Sequence, residues 1–232
     1  MMRSHDPSQR TTVRRLALVV AVVVAGFAVP QGAGAATRTS SLVIAAQAAQ
    51  ALESLAEWQS TQNPADYVRF VQTRDQAAVL VGDELDIDVH LLRNDWATVD
   101  ADRQVVVLSA LSQIGVKYRY AQALPGVAFD CSGLISWAYE QIGIELPRRS
   151  VEQFRASTET DAEGVSAGDI VHYPGHISLY LGAGLMVHAP NSASLVEVAV
   201  LSKRSLRYGV LVDLPRTAAA DPVLVDLELS AP

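Results

Sequence analysis

Hydrophobic residues recur at helical spacing from Ser41 to about Trp58. Leu42, Ile44, Ala45, Ala48, Leu52, Leu55 and Ala56 follow a 3.6-residue period there, and Gln62-Asn63-Pro64 interrupts it. The spacing predicts a helix. Tyr67-Val68-Arg69-Phe70-Val71 and Leu85-Asp86-Ile87-Asp88-Val89 then alternate in polarity, which predicts two short strands around an apolar stretch that fits helix or strand. His90 is expected at a strand edge. From Asp100 onward the pattern sharpens. Asp100 or Asp102 caps a helix through Val105, Val106, Leu108, Ala110, Leu111 and Ile114, ending at Gly115, and a polar loop runs from Tyr118 to Gly126.

A second helix begins at Cys131. Leu134, Ile135, Ala138 and Ile142 continue its apolar face, Asp130 is a good N-cap and Gly143 a natural residue after the C-terminus. A short helix is predicted around Val151 to Ala156. Three strands follow, at Asp169–Tyr173, His176–Leu181 and Leu185–His188, and Gly182-Ala183-Gly184 makes the last two a hairpin. Helices first and an antiparallel sheet afterwards is an α+β order.

The N-terminus changes what counts as fold. Arg14-Arg15 precede an apolar run from Leu16 to about Val29, and Ala33-Gly34-Ala35 offers small residues for cleavage. The run suits a signal peptide better than a membrane span, so residues 1–35 are read as an export signal, with an uncleaved anchor as the alternative. Residues 1–36 hold four arginines and one aspartate, so their removal takes the formal charge from −7 to −10. That balance argues against nucleic acid as a partner and against adhesion to anionic membranes or wall polymers, and no integral span remains after signal removal. About 200 residues are enough to bury a core without disulfides. Residues 36–99 form a segment too apolar for a linker, 100–212 a domain, and 213–232 a C-terminal tail. The 36–99 segment is expected to pack on that domain, as a brake on its cleft or as part of its core.

The chain has one cysteine, and an exported protein with a lone thiol has no internal disulfide partner for it. A buried inert cysteine is one reading. The other is a nucleophile, because a helix start favours the thiolate. The hairpin brings in histidines. His176, Ser178 and Tyr180 share one strand face; a loop centred on Gly182 sets His176 opposite His188, and one centred on Ala183 sets them a diagonal step apart. Both registers put the rings on one face, fitting a nucleophile, a base and a base-orienter. Zinc held by Cys131, His172, His176 and His188 is a competing reading that Pro174-Gly175 weakens, and Asp83, Glu84, Asp86 and Asp88 lack the spacing of a calcium loop.

Tyr118-Arg119-Tyr120, Phe129-Asp130-Cys131-Ser132-Gly133-Leu134, Leu146-Pro147-Arg148, Gly168-Asp169-Ile170-Val171, His176-Ile177-Ser178-Leu179-Tyr180-Leu181-Gly182 and Met186-Val187-His188-Ala189-Pro190 together resemble the NlpC-type family of papain-like cell-wall peptidases. The resemblance covers roughly residues 100–212, about half the chain. It implies a papain-like α+β fold, with the nucleophile at a helix start packed on an antiparallel sheet. Cys131 is implied as nucleophile, His176 as general base and His188 as the residue orienting it. Tyr118 matches a tyrosine lining the site, Asp130 and Ser132 match positions that help bind the amine end of a stem peptide, and Arg148 matches the family arginine. The implied activity is hydrolysis of peptidoglycan peptide stems in the cell envelope, at a bond between D-glutamate and the diamino acid. This chemistry needs no cofactor and no metal. Ala121-Gln122 stands where the family commonly has a glycine pair, which puts specificity in question, and His172 is read as a strand residue near the cleft rim. An inactive wall-binding scaffold and a papain-like amidase or acyl transferase are the alternatives.

Overall fold

The structure is a computed structural model that describes residues 33–202 and 206–211. The export segment, apart from Ala33–Ala35, and the tail 213–232 lie outside the described residues. Helices α1 (Ala33–Thr61) and α2 (Pro64–Leu85) come first. Asn63 caps α2 by accepting the amide of Ala65 at 2.9 Å, and Pro64 fills the first helical position, where a missing N–H costs nothing. Trp58 packs on Tyr67 with ring centroids 4.8 Å apart, closing the corner between the two helices.

Neither of the two strands expected between residues 65 and 97 forms: the first lies within α2 and the second spans the turn between α2 and α3. Tyr67, Phe70, Arg74, Ala77, Ala78 and Val81 are among the buried positions of α2, a 3–4 spacing that a five-residue window around Tyr67 does not reveal. The alternating acids of the second stretch are cap residues. Asp86 ends α2 in the left-handed conformation, with φ 52°, and Asp88 caps helix α3 (Val89–Thr98) through the amide of His90. His90 therefore sits exposed in the first turn of α3 and not on a strand edge.

Helix α4 (Ala101–Leu111) is capped by Asp100, as its sequence predicts. A small three-stranded sheet then occupies the expected polar loop. Strand β3 (Ala128–Phe129) pairs in parallel with β1 (Lys117–Tyr118) and antiparallel with β2 (Ala123–Leu124). Helices α5 (Cys131–Glu140) and α6 (Ser150–Ala156) follow. The main sheet contains β4 (Thr158–Thr160), β5 (Ile170–Tyr173), β6 (His176–Gly182), β7 (Leu185–His188), β8 (Glu197–Val200) and β9 (Arg207–Val210). Its order is β4-β9-β5-β6-β7-β8, and every neighbouring pair is antiparallel. The three predicted strands form its centre; β4, β8 and β9 are additions.

One core joins these layers. Ile177, Leu179 and Leu181 of β6 are fully buried in the same cluster as Leu134, Ile135 and Ala138 of α5, and as Ile44, Ala48, Phe70, Leu92 and Trp96 of α1–α3. A buried ion pair between Arg103 of α4 and Asp169, 2.5 Å apart, fixes the entry to β5.

Helix α3 grips the β6–β7 hairpin. Trp96 donates its indole N–H to the carbonyl of Leu181 at 2.6 Å, and Asp95 accepts the amide of Ala183 at 2.7 Å. That turn needs help. Ala183 and Gly184 both have positive φ, 51° and 73°, as a two-residue hairpin turn of the tight primed kind requires, and alanine adopts that conformation at a cost. A side chain at Gly182 would place its Cβ 2.6 Å from the Asp95 carboxylate, so glycine there admits the clamp.

Removing this support should be expensive. Trp96→Ala is expected to cost about 3–5 kcal/mol in urea unfolding, because it opens a cavity and orphans a buried carbonyl. A chain shortened to begin at Asp100 is expected to be insoluble. If it is soluble and unfolds with the cooperativity of the longer chain, α1–α3 are not part of its core.

Candidate active site

Cys131 is the first residue of α5. Asp130 caps that helix with a 2.7 Å bond from the Gly133 amide to its Oδ1, which aims the amides of the first turn toward the sulfur. The backbones of Cys131, Ser132 and Ile177 all hydrogen-bond to the thiol, and each favours its ionised form. Burial is the larger influence, and the thiol pKa lies above its ordinary value. The expectation of a ready thiolate is corrected on this point: the helix start is present, but desolvation outweighs it.

Ile177 places the sulfur beside β6, whose first residue is His176. Leu179 pairs with Val187 and Tyr180 with Met186, and the register then shifts by one residue at a bulge before Gly182 pairs with Leu185. The alternative with the loop centred on Ala183 therefore holds, and His176 and His188 lie a diagonal step apart. Their rings meet edge to face, with Nε2 of His176 2.9 Å from Nδ1 of His188. Burial, followed by the neighbouring His188 and His172, lowers His176 to a pKa of about 4, and burial brings His188 to about 4. Both rings are neutral at pH 7, so the resting site holds a thiol and two uncharged imidazoles. With Nε2 of His176 engaged by His188, Nδ1 is the remaining nitrogen of that ring.

Asp130 has a second employment. Its Oδ2 accepts the Ala121 amide at 2.7 Å, and Arg148 binds both oxygens, at 2.9 and 2.7 Å. Arg148 also donates to the Ser132 hydroxyl at 2.9 Å, which itself lies 3.4 Å from Asp130. Asp130 and Ser132, the two residues matched to amine recognition, thus form one internal network with Arg148, in which the carboxylate is buried and the guanidinium half-exposed. Gln153 of α6 adds a buried bond to the Ser132 carbonyl. Tyr118 faces the same group, its phenol pKa raised by burial and then by Cys131 and Asp130.

The departure at Ala121-Gln122 has a visible consequence. Ala121 sits at φ 59°, a left-handed conformation that glycine adopts freely. The carbonyl of Gln122 lies so close to α5 that a Cβ on Gly133 would be 2.1 Å from it. Beyond this loop, a cavity of about 520 Å³ runs between Lys117–Tyr120 and Ser192–Leu195. His172 stands on the sheet face opposite to His176 by strand pairing; its ring stacks on Phe154 at 4.8 Å and its Nε2 is buried without a hydrogen-bond partner. Nε2 of His176 and Nδ1 of His188 face each other, and among the described residues no group of three His, Cys, Asp or Glu is arranged to hold a metal.

Sequence reasoning missed Glu197. It pairs directly with His188 in the β7–β8 register, and its Oε1 lies 3.7 Å from His188 Nε2. The apolar pattern around Val196 to Val200 is too short to mark a strand unaided.

Helices ahead of an antiparallel sheet, with a thiol at a helix start beside a paired imidazole, define an α+β protein of the papain-like kind. Residues 115–212, somewhat under half of the chain, match the model of the NlpC/P60 family. A probable endopeptidase of Corynebacterium glutamicum is 38% identical over 125 residues, covering 53% of this chain and 56% of the relative. The peptidoglycan endopeptidase RipB of Mycobacterium tuberculosis is 34% identical over 119 residues, or 44% of this chain and 49% of RipB. Its solved structure aligns over 78% of this chain and 86% of its own, at 21% identity and a TM-score of 0.46. The gamma-DL-glutamyl hydrolase of Bacillus subtilis is 31% identical over 146 residues, 59% of this chain and 35% of the relative. The chain thus spans about half or less of the length of these three sequence relatives.

The lowered histidines set a pH dependence. Their folded pKa of about 4 lies below the unfolded value near 6.5, so the unfolded chain binds more protons between the two. Their contribution to stability is complete above about pH 6.5 and is lost as pH falls through about 4. NMR titration should show both rings neutral at pH 6; a midpoint near 6.5 for either would contradict the burial argument.

Proposed function

We propose that this protein is an exported cysteine peptidase that hydrolyses the peptide stems of bacterial peptidoglycan at a bond between D-glutamate and the diamino acid. The observation that carries this reading is the junction of a helix-start thiol, beside the first residues of β6, with a histidine pair 2.9 Å apart. The names of the relatives support it from outside. One is a peptidoglycan endopeptidase and another acts on gamma-glutamyl bonds.

Cys131 is the nucleophile, His176 its base and His188 the group that orients the base. Nδ1 of His176 takes the thiol proton as the sulfur attacks the peptide carbonyl, and the amide of Cys131 at the start of α5 donates to the developing oxyanion. His176 returns that proton to the leaving amine, a water attacks the thioester under the same base, and the acid leaves. Because the resting pair is neutral, proton transfer belongs to the attack itself and does not precede it. Tyr118 lines the entrance. Asp130, Ser132 and Arg148 shape the pocket for the amine end of the stem, with Arg148, the half-exposed member, as the one able to exchange its bonds for a ligand.

The cavity beside Tyr118 is lined by Lys117, Arg119, Ser192 and Ser194 together with Ala193 and Leu195, a mixed surface that fits a peptide bearing both charged and apolar groups. Export to the envelope accords with this substrate, and among the described residues no helix is long and apolar enough to cross a membrane.

Purified peptidoglycan digested with the protein and analysed by mass spectrometry tests activity and bond together; absence of released stem fragments would end the reading. Cys131→Ala should abolish release while leaving the unfolding midpoint unchanged. His176→Ala should cost nearly as much, on the order of 10⁴-fold or more in kcat. His188→Asn and His188→Gln should keep measurable turnover, since an amide can still accept from Nε2 of His176; the reverse ranking would exchange the two roles. Chelators should leave the wild type unaffected, and inhibition reversed by added zinc would move the reading to a metal mechanism.

A further inference from the structure

The histidine pair poses a question of proton placement that the three catalytic residues do not answer by themselves. Both rings are neutral, and Nε2 of His176 faces Nδ1 of His188 at 2.9 Å, so one of these nitrogens carries the shared proton. In the first arrangement His176 donates from Nε2. Its Nδ1 then bears the lone pair that can take the thiol proton, and His188 carries its own proton on Nε2. In the second arrangement His188 donates from Nδ1, His176 carries its proton on Nδ1, and the thiol has no base. Only the first is productive, and the pair alone has no strong reason to prefer it.

Glu197 supplies the reason. The Nε2 of His188 is buried and has no hydrogen-bond partner, and the residue as a whole is 7% exposed. Directly opposite in the ladder, Glu197 brings Oε1 to 3.7 Å from that nitrogen. Its side chain is half-exposed and has the rotamer freedom to close to a charge-assisted bond of about 2.8 Å. In the productive arrangement the carboxylate faces an N–H; in the other it faces a lone pair.

We propose that Glu197 is a positioning residue, whose carboxylate accepts the Nε2–H of His188 and thereby holds the pair in the one tautomer that leaves Nδ1 of His176 able to take the thiol proton. The inference rests on the cysteine-peptidase reading for its consequence, but its physical content is a tautomer that can be measured without turnover. No atom is gained or lost: the proton on Nε2 of His188 stays there, and the proton between the rings stays on His176 until the thiol delivers another to Nδ1.

Nitrogen NMR of ¹⁵N-histidine-labelled protein at neutral pH reads the tautomers, and Glu197→Gln is the discriminating variant. Glutamine keeps the size and packing of glutamate, yet its amide serves either tautomer, offering an oxygen to an N–H or an N–H to a lone pair. The wild type should show His188 protonated on Nε2 and His176 on Nε2. Glu197→Gln should show a mixture, with an unchanged unfolding midpoint and unchanged KM. Its kcat should fall by the factor by which the productive tautomer is depleted, about two- to tenfold. Glu197→Asp, which keeps the charge on a shorter arm, should recover part of the tautomer and the same part of kcat. A wild type with His188 protonated on Nδ1, or a Glu197→Gln variant with the wild-type tautomer, overturns the proposal. If the wild type releases nothing from peptidoglycan, the functional reading falls, and the nitrogen spectra still decide the role of Glu197.

Discussion

The carboxylate of Asp130 is the constraint on which the site depends. It is almost fully buried, and it receives the Gly133 amide, the Ala121 amide and both arms of Arg148. One group therefore fixes the pitch of α5 at Cys131, the path of the loop that carries Tyr118 and the position of the Leu-Pro-Arg segment. A buried carboxylate is stable only while its acceptors are satisfied, so these three segments are obliged to meet. Gly133 follows from the same junction, since the Gln122 carbonyl occupies the space a larger residue would need. The cysteine is exact in position because its neighbour is costly to leave unpaired.

The other half of the site is held from the opposite side. His176 and His188 belong to a hairpin with a bulge and a strained turn, and a free hairpin of that kind would wander in register. Trp96 and Asp95 of α3 stop it by bonding the carbonyl of Leu181 and the amide of Ala183. Through α3 the N-terminal helices act on the site without entering it. Their buried faces extend the core beneath β6, and the polar ends of that core hold the turn. The same helices that complete the packing thus set the spacing of the two rings.

What the sequence made legible follows from how local each signal is. The cysteine helix could be read because a cap, a 3.6-residue period and a closing glycine lie within fourteen residues, from Asp130 to Gly143. The central hairpin could be read because Gly182 and Gly184 bracket its turn. Residues 65–97 were misread because short amphipathic windows fit both periods; Tyr67–Val71 shows its helical face only when Arg74, Ala77 and Val81 are counted. Strands β4, β8 and β9 are three or four residues long and half-exposed, and tertiary pairing, not pattern, makes them strands. Glu197 was invisible for that reason. An acidic residue beside a valine run announces nothing until the register sets it against His188.

Burial at this site has a chemical consequence beyond packing. The Cys131 thiol is pushed up and His176 is pushed down to about 4, so the two are mismatched for spontaneous ion-pair formation. A thiol kept neutral is a poor target for oxidants and adventitious electrophiles. Under the peptidase reading, charge is created only when an acyl group lies against the sulfur and the oxyanion can share it with the amides of α5. Under the same reading, and with Glu197 in its proposed role, the chain from Glu197 through His188 to His176 has to be prepared in advance, because a base in the wrong tautomer cannot be corrected during attack. Low resting reactivity and strict proton placement are thus two results of the same desolvation, the first set by the thiol and the second by the imidazoles.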